Sequence, residues 1–224
     1  MSSGFTDWFA ASLVPLFLLA ASCASSGGDT TPNRYQSPTA VFDAYREARG
    51  KRELRKLFSL LTPEAQSHAV FESFFECTER GSKQTGAIVT KYVDLATLND
   101  DYENQYKKKH GVDLAKVQAG HENDPTFVPP PHDEQLWRDA VVARVKDKAG
   151  FFEAVAKLSE KNPVSPLGDL EELAVHGDTA TGHAKMTILP RPGESPPKAG
   201  GPPPIYDKPF KFRRVNGGWL LDSL

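Results

Sequence analysis

Cysteine is nearly absent from this chain of 224 residues: Cys23 and Cys77 are the only two. That is too few for a disulfide-built scaffold, and no C-x-x-C or Cys/His cluster offers the ligand spacing of a zinc site. A charge excess is also missing. Lys and Arg number 27 against 29 Asp and Glu, a formal net charge of -2 at pH 7. No bulk basicity therefore points to nucleic acid, and no acidic surplus marks a solvating tail. With 39% hydrophobic and 25% charged residues, the chain can bury one core of ordinary size or two small ones.

What is present begins at the N-terminus. Trp8 to Ala21 is an uncharged, mostly apolar run. It is shorter than the about 20 residues needed to span a bilayer, is interrupted by Pro15, and runs into Ser, Gly and Thr rather than a basic flank. A cleaved targeting segment over residues 1–22 is the expectation. The following Leu19-Ala20-Ala21-Ser22-Cys23 resembles the lipobox of bacterial lipoproteins. The resemblance implies cleavage between Ser22 and Cys23, a diacylglycerol on the Cys23 sulfur and a fatty acyl chain, such as palmitate, on its new amine. At roughly 0.8 kcal/mol per buried methylene, several chains make a stable anchor where one does not. Two features depart from the pattern: Ala20 stands where a branched aliphatic is usual, and Asp7 rather than Lys or Arg precedes the apolar run. The alternative is an ordinary secretory signal, cut near Ala21 or after Ala24, giving a soluble secreted or periplasmic protein. Residues 23–36 carry Ser, Gly, Thr, Pro and Asn with little that can pack, and read as a flexible tether.

A folded domain is expected over 37–224. Ser37-Pro38 is an N-cap followed by proline at the first helical position, and Val41, Phe42, Tyr45 and Ala48 recur at helical spacing up to Gly50. Glu53 to Leu61 reads as a short second helix. Thr62-Pro63 then opens a third, with Ala69, Val70, Phe74 and Cys77 on one stripe and Gly81 as its stop. Ala87 to Lys109 suggests a polar helix or helix pair ending in Lys107-Lys108-Lys109, where cations suit the C-terminal end of the dipole. The prolines between Gln118 and Glu134 predict a loop. Helical runs resume through Leu136, Trp137, Ala140, Val141 and Val145, and through Phe151, Phe152, Val155 and Leu158.

The period then changes. Thr179 to Ile188 alternates small or apolar with polar residues, the pattern of a half-buried strand, and Leu170 to His176 pairs with it across Gly177-Asp178. The stretch 190–204 is dense in proline and glycine and predicts an extended connection between strands. Phe210 to Val215, Asn216-Gly217-Gly218 and Trp219 to Asp222 form a closing hairpin. Helices first and an antiparallel sheet last make an α+β chain.

The opening helix with Val41-Phe42-Asp43-Ala44-Tyr45, the phrase Val175-His176-Gly177-Asp178-Thr179-Ala180, and the closing Phe212 to Leu221 resemble the nuclear-transport-factor-two-like, or cystatin-like, cone. The resemblance covers roughly 37–80 and 168–224. It implies a curved antiparallel sheet wrapped around N-terminal helices, with residues about 81–166 as a helical insertion. Members of that superfamily include isomerases, hydrolases, binding modules and secreted lipoproteins, so fold does not settle function.

Candidate chemistry is sparse. Ketosteroid-isomerase-like catalysis needs a carboxylate in an apolar pocket and a group to hold an oxyanion. The stripe Ala180, Gly182, Ala184, Met186 and Ile188 supplies no carboxylate, and Asp43, Tyr45, Tyr92 and Asp94 read as helix-surface or boundary residues; no catalytic residue is assigned. Cys77, with Arg80 as its only basic neighbour, reads as a small buried hydrophobe rather than a nucleophile. His121-Glu122-Asn123-Asp124 with His132-Asp133-Glu134 is the densest histidine–carboxylate patch, a metal candidate that also fits a solvated acidic connection, so no metal and no cofactor are assigned. His176 and His183 are expected on the polar face of the hairpin. Arg46, Arg49, Lys51, Arg52, Arg55 and Lys56 form the densest basic patch, interleaved with Glu47 and Glu53 as on an ion-paired surface; anionic lipid headgroups are its functional alternative. The sequence-level expectation is a non-catalytic, lipid-anchored binding or accessory protein of the bacterial envelope. Its partners would be the membrane and an envelope protein or small ligand, not nucleic acid. The alternatives are a cone-fold enzyme or a non-lipidated secreted structural protein.

Overall fold

The computed structural model describes residues 35–121, 128–190, 192 and 202–223. The targeting segment, the cleavage residues Ser22 and Cys23, and most of the tether lie outside the described residues, as do 122–127 and most of the proline-rich connection. No helix among the described residues is long and apolar enough to cross a membrane.

The chain is α+β. Helix α1 (Pro38–Gly50) starts as the capping residues dictate, with the Ser37 hydroxyl accepting from Ala40 N–H at 3.1 Å. Helix α2 (Leu54–Ser59) is shorter than its apolar pattern suggests, because Leu61 leaves the helix to form a bridge with Leu221. Helix α3 (Pro63–Arg80) runs from the Thr62 cap to Gly81, whose left-handed φ of 55° ends it. The polar run resolves into a pair, α4 (Lys83–Tyr92) and α5 (Leu95–His110). A short helix α6 (Leu114–Gly120) follows Gly111, so the proline-rich loop begins after it rather than at Gln118. Helices α7 (Glu134–Arg144) and α8 (Lys148–Ala156) follow before the sheet begins.

The sheet is a meander in the order β1-β2-β3-β4, with β1 (Leu167–His176), β2 (Thr179–Thr187), β3 (Ile205–Val215) and β4 (Gly218–Leu221), all antiparallel. The closing turn places both Asn216 and Gly217 at positive φ, 51° and 82°, the geometry that makes Asn-Gly the favoured two-residue hairpin turn. β1 carries two register shifts against β2, one of them at Glu172 with φ 52°. Such bulges bend a strand and increase its twist, which curves this edge of the sheet.

One apolar core runs through the described part. Val41, Phe42, Tyr45 and Ala48 of α1 turn toward the inner sheet face of Ala180, Ala184, Phe210 and Phe212, and the Phe42 ring meets Phe210 edge-on at 5.0 Å. The small residues of β2 leave room for these rings. The later helices pack on the earlier ones: Phe152 of α8 against Phe58 of α2 at 5.5 Å, and Trp137 of α7 against Phe74 of α3 at 6.3 Å. The sheet thus rests mainly on α1, while α7 and α8 reach α2 and α3.

Candidate functional site

An open groove of about 690 Å³ lies between α5, α6 and the segment 129–132. Its floor follows from helical spacing. Tyr102 and Tyr106 are successive buried positions of α5, with ring centres 5.9 Å apart. Trp137 closes on Tyr102 edge-on at 5.4 Å from behind. His132 lies nearly parallel on Tyr102, 5.3 Å away at an interplanar angle of 24°. Leu114 and Val117 of α6 form the opposite wall. Gly111, at φ 72°, allows the chain to turn between the two helices.

Polar contacts hold the proline wall. The Tyr106 hydroxyl donates to the Pro131 carbonyl at 2.9 Å, and the Asp133 N–H donates to the Tyr102 hydroxyl at 3.1 Å. The Asp133 carboxylate accepts from the Leu136 N–H at the start of α7, from Lys109 at 2.7 Å, and meets His110 Nε2 at 2.8 Å. Those three interactions, Lys109 foremost, hold it well below the usual carboxylate range. Asp133 is thereby the peg joining α5 to α7.

Chemically, the groove presents ring faces, proline rings and aliphatic walls, with Asn99, Glu103 and Gln118 as polar points. Among the described residues of its lining there is no serine, threonine or cysteine. The volume falls within the range of small-molecule sites, about 300–1,000 Å³.

Of the histidine–carboxylate patch, His121 and His132 both line this groove, while Asp133 is committed to its cap and cations. Glu122, Asn123 and Asp124 lie outside the described residues. Among the described residues no group of three or more His, Cys, Asp or Glu is placed to hold a metal.

The other candidates are dispersed. Tyr45 is buried against Phe210 at 5.8 Å, and desolvation pushes its phenol up. Asp43 pairs with Arg46 at 3.0 Å. Tyr92 packs on Phe151 at 5.9 Å, and Asp94 stands at the start of α5, its N–H bonded to the Arg144 carbonyl at 3.1 Å. Cys77 is buried, and desolvation together with Glu76 raises its thiol above the ordinary value. His176 and His183 occupy the outer sheet face in register with Thr179 and Glu171.

The basic patch is largely neutralised. Lys51 pairs with Glu47 at 2.6 Å, Lys56 with Glu53 at 3.1 Å, and Arg55 bridges Glu153 at 2.7 Å and Asp147 at 3.1 Å. Arg46 reaches Asp169 at 2.5 Å, and Arg52 donates to the Glu160 and Asn162 carbonyls, each at 2.5 Å. Arg49 meets the Ser165 carbonyl and the Met186 thioether.

Sequence reasoning missed Tyr102 and Tyr106, whose helix reads as polar. The available signal was their four-residue spacing on either side of Glu103. It also began β3 at Phe210 and so overlooked Lys208, which interrupts the apolar alternation of Tyr206, Phe210 and Phe212.

No family model, no curated protein and no solved structure matches this chain, so its function is argued from its own geometry.

Proposed function

We propose that the chain is a lipid-anchored, extracytoplasmic binding protein of the bacterial envelope whose ligand, a small molecule with a flat apolar surface, occupies the groove between α5 and α6. The observation that carries the binding reading is the aromatic floor of that groove. Tyr102, Tyr106 and His132 offer π-faces held by Trp137 and by the Tyr106–Pro131 and Asp133–Tyr102 hydrogen bonds, so little side-chain freedom is left to lose on binding.

The address rests on the N-terminal residues. The apolar run closing on Ala20-Ala21-Ser22-Cys23 supports acylation of Cys23, and the polar residues 24–36 would hold the folded part off the membrane surface. On α1 and α2, Arg46, Lys51, Arg55 and Lys56 are each paired with an acid, which argues against headgroup binding as a second anchor.

Intact mass and detergent partitioning of the full chain made in a bacterial host, beside Cys23→Ser, test the address. A chain beginning at Cys23 with added acyl mass, entering the detergent phase only in the wild type, is the expected result. A mature chain beginning near Ser22 or Ser25 without lipid refutes the anchor and leaves a soluble secreted protein.

A further inference from the structure

Two cations face the inner side of the sheet without an acidic partner among the described residues. Strand alternation sends Asp207 to the outer face, where it meets His183 at 3.3 Å, and sends Lys208 to the inner face opposite Ala184. Arg49, in the last turn of α1, lies over the same face, its guanidinium 3.6 Å from the Met186 sulfur. Lys208 Nζ sits 5.6 Å from the Phe210 ring centre. On β1, Glu171 is turned outward to Lys185 at 3.5 Å, and Asp169 is taken by Arg46. Among the described residues neither Arg49 nor Lys208 meets a carboxylate.

The neighbouring surface is apolar. α1 stops at Gly50, and the inner face continues beyond it through Met186, Tyr206 and Ile188; Tyr206 is 50% and Ile188 41% exposed. Half-burying two like charges side by side is unfavourable unless an anion joins them. Burial and the nearby Arg49 charge push the Lys208 ammonium below its ordinary value, as expected for a cation whose counter-charge is missing.

We infer that Arg49 and Lys208 form an anion site for a small organic carboxylate, whose carboxylate lies between the two cations and whose apolar body lies on Met186 and Tyr206. This site is separate from the groove between α5 and α6. Arg49 can offer a planar pair of N–H donors and Lys208 a point charge, a combination suited to one carboxylate rather than to an extended polyanion.

The chain has its own carboxylate within the connection that leaves and re-enters the sheet here: Glu194, outside the described residues. The test must separate that source from an external ligand. Benzoate is titrated into the full chain by calorimetry, with benzamide as the neutral isostere. The expected result is benzoate binding tighter than benzamide by about tenfold or more, the worth of one charge-assisted hydrogen bond. Lys208→Met and Arg49→Gln should each abolish that preference, while Val117→Arg, which fills the other groove, should leave it intact. Equal affinity for the two compounds overturns the inference, as does a preference that survives both cation variants. Benzoate binding seen only in Glu194→Gln also overturns it, assigning the cations to the chain's own loop, and absence of binding in both backgrounds rejects the site outright.

Discussion

Thr62 and Asp222, 160 positions apart, are joined by a hydrogen bond of 3.0 Å from the Thr62 hydroxyl to the carboxylate. The same hydroxyl accepts from the Ala65 N–H at 3.2 Å as the cap of α3, and the Thr62 N–H donates to the Leu221 carbonyl at 2.8 Å. One fully buried side chain therefore begins the longest helix and fastens it to the last strand. Thr62→Val keeps the shape and removes both side-chain bonds. A loss of about 1–2 kcal/mol is expected from the lost cap and the lost hydrogen bond to Asp222, whose carboxylate Arg213 still holds at 2.7 Å. Urea unfolding checks this, and a midpoint equal to that of the wild type would show the seam to be held by backbone bonds alone.

Asp133 sets a pH dependence. Because its native carboxylate lies below the ordinary value, held there by Lys109, His110 and the Leu136 N–H, the native state favours the charged form. Its stabilisation is complete above the unfolded-state value of about 3.9 and is lost as pH falls below that toward the native value. Asp133→Asn should therefore be less stable than wild type at pH 7, with the gap closing below about pH 4. Denaturant melts at both pH values measure it; a gap that is constant with pH would mean that the cap hydrogen bond, not the charge, is what Asp133 contributes.

Gly150 stands inside α8, where alanine ordinarily gains about 0.5–1 kcal/mol. Here an added Cβ would meet Asp147 Oδ2 at 2.2 Å and Arg55 Nη2 at 2.7 Å. Asp147 caps the helix through the Gly150 N–H at 2.8 Å and pairs with Arg55 at 3.1 Å. Gly150→Ala should displace that cap and destabilise by about 0.5–2 kcal/mol. In an Asp147→Ala background the same substitution should become neutral or stabilising, because only the flexible end of Arg55, released from Asp147, remains to move. The double-mutant cycle reads the coupling directly.

The groove between α5 and α6 can be closed from its less buried wall. Val117 is half-buried on a short helix, so Val117→Arg should fill the space with little change in thermal midpoint. A fluorescent naphthalene sulfonate probe should bind the wild type, quench Trp137, which touches the Tyr102 floor, and lose both effects in the variant. Quenching that persists unaltered in Val117→Arg would place the probe elsewhere.

Local rules are what the sequence by itself determined. Ser37-Pro38, Thr62-Pro63, Gly81 and Asn216-Gly217 satisfy or spare backbone groups within a few residues of themselves, so the ends of α1 and α3 and the closing turn follow from residue type alone. The α+β order follows as well, because helical and strand periods differ and each persists long enough to be distinguished. Tertiary structure decided what depends on distant partners. Leu61 leaves the helical pattern because the groups on either side of it, the Leu60 carbonyl and the Thr62 N–H, bond Leu221, a partner no local signal announces. Tyr102 and Tyr106 lie in a helix with a polar composition, and only the arrival of His132, Pro131 and Trp137 from some thirty residues on turns them into a floor. Lys208 and Asp207 are chemically opposite neighbours on one strand. Which of them faces α1, and so meets Arg49 instead of His183, is set by the register of β2 on β3 and by the face that Phe210 and Phe212 must bury against Phe42. That choice is a sum over the whole core, and no window of sequence contains it.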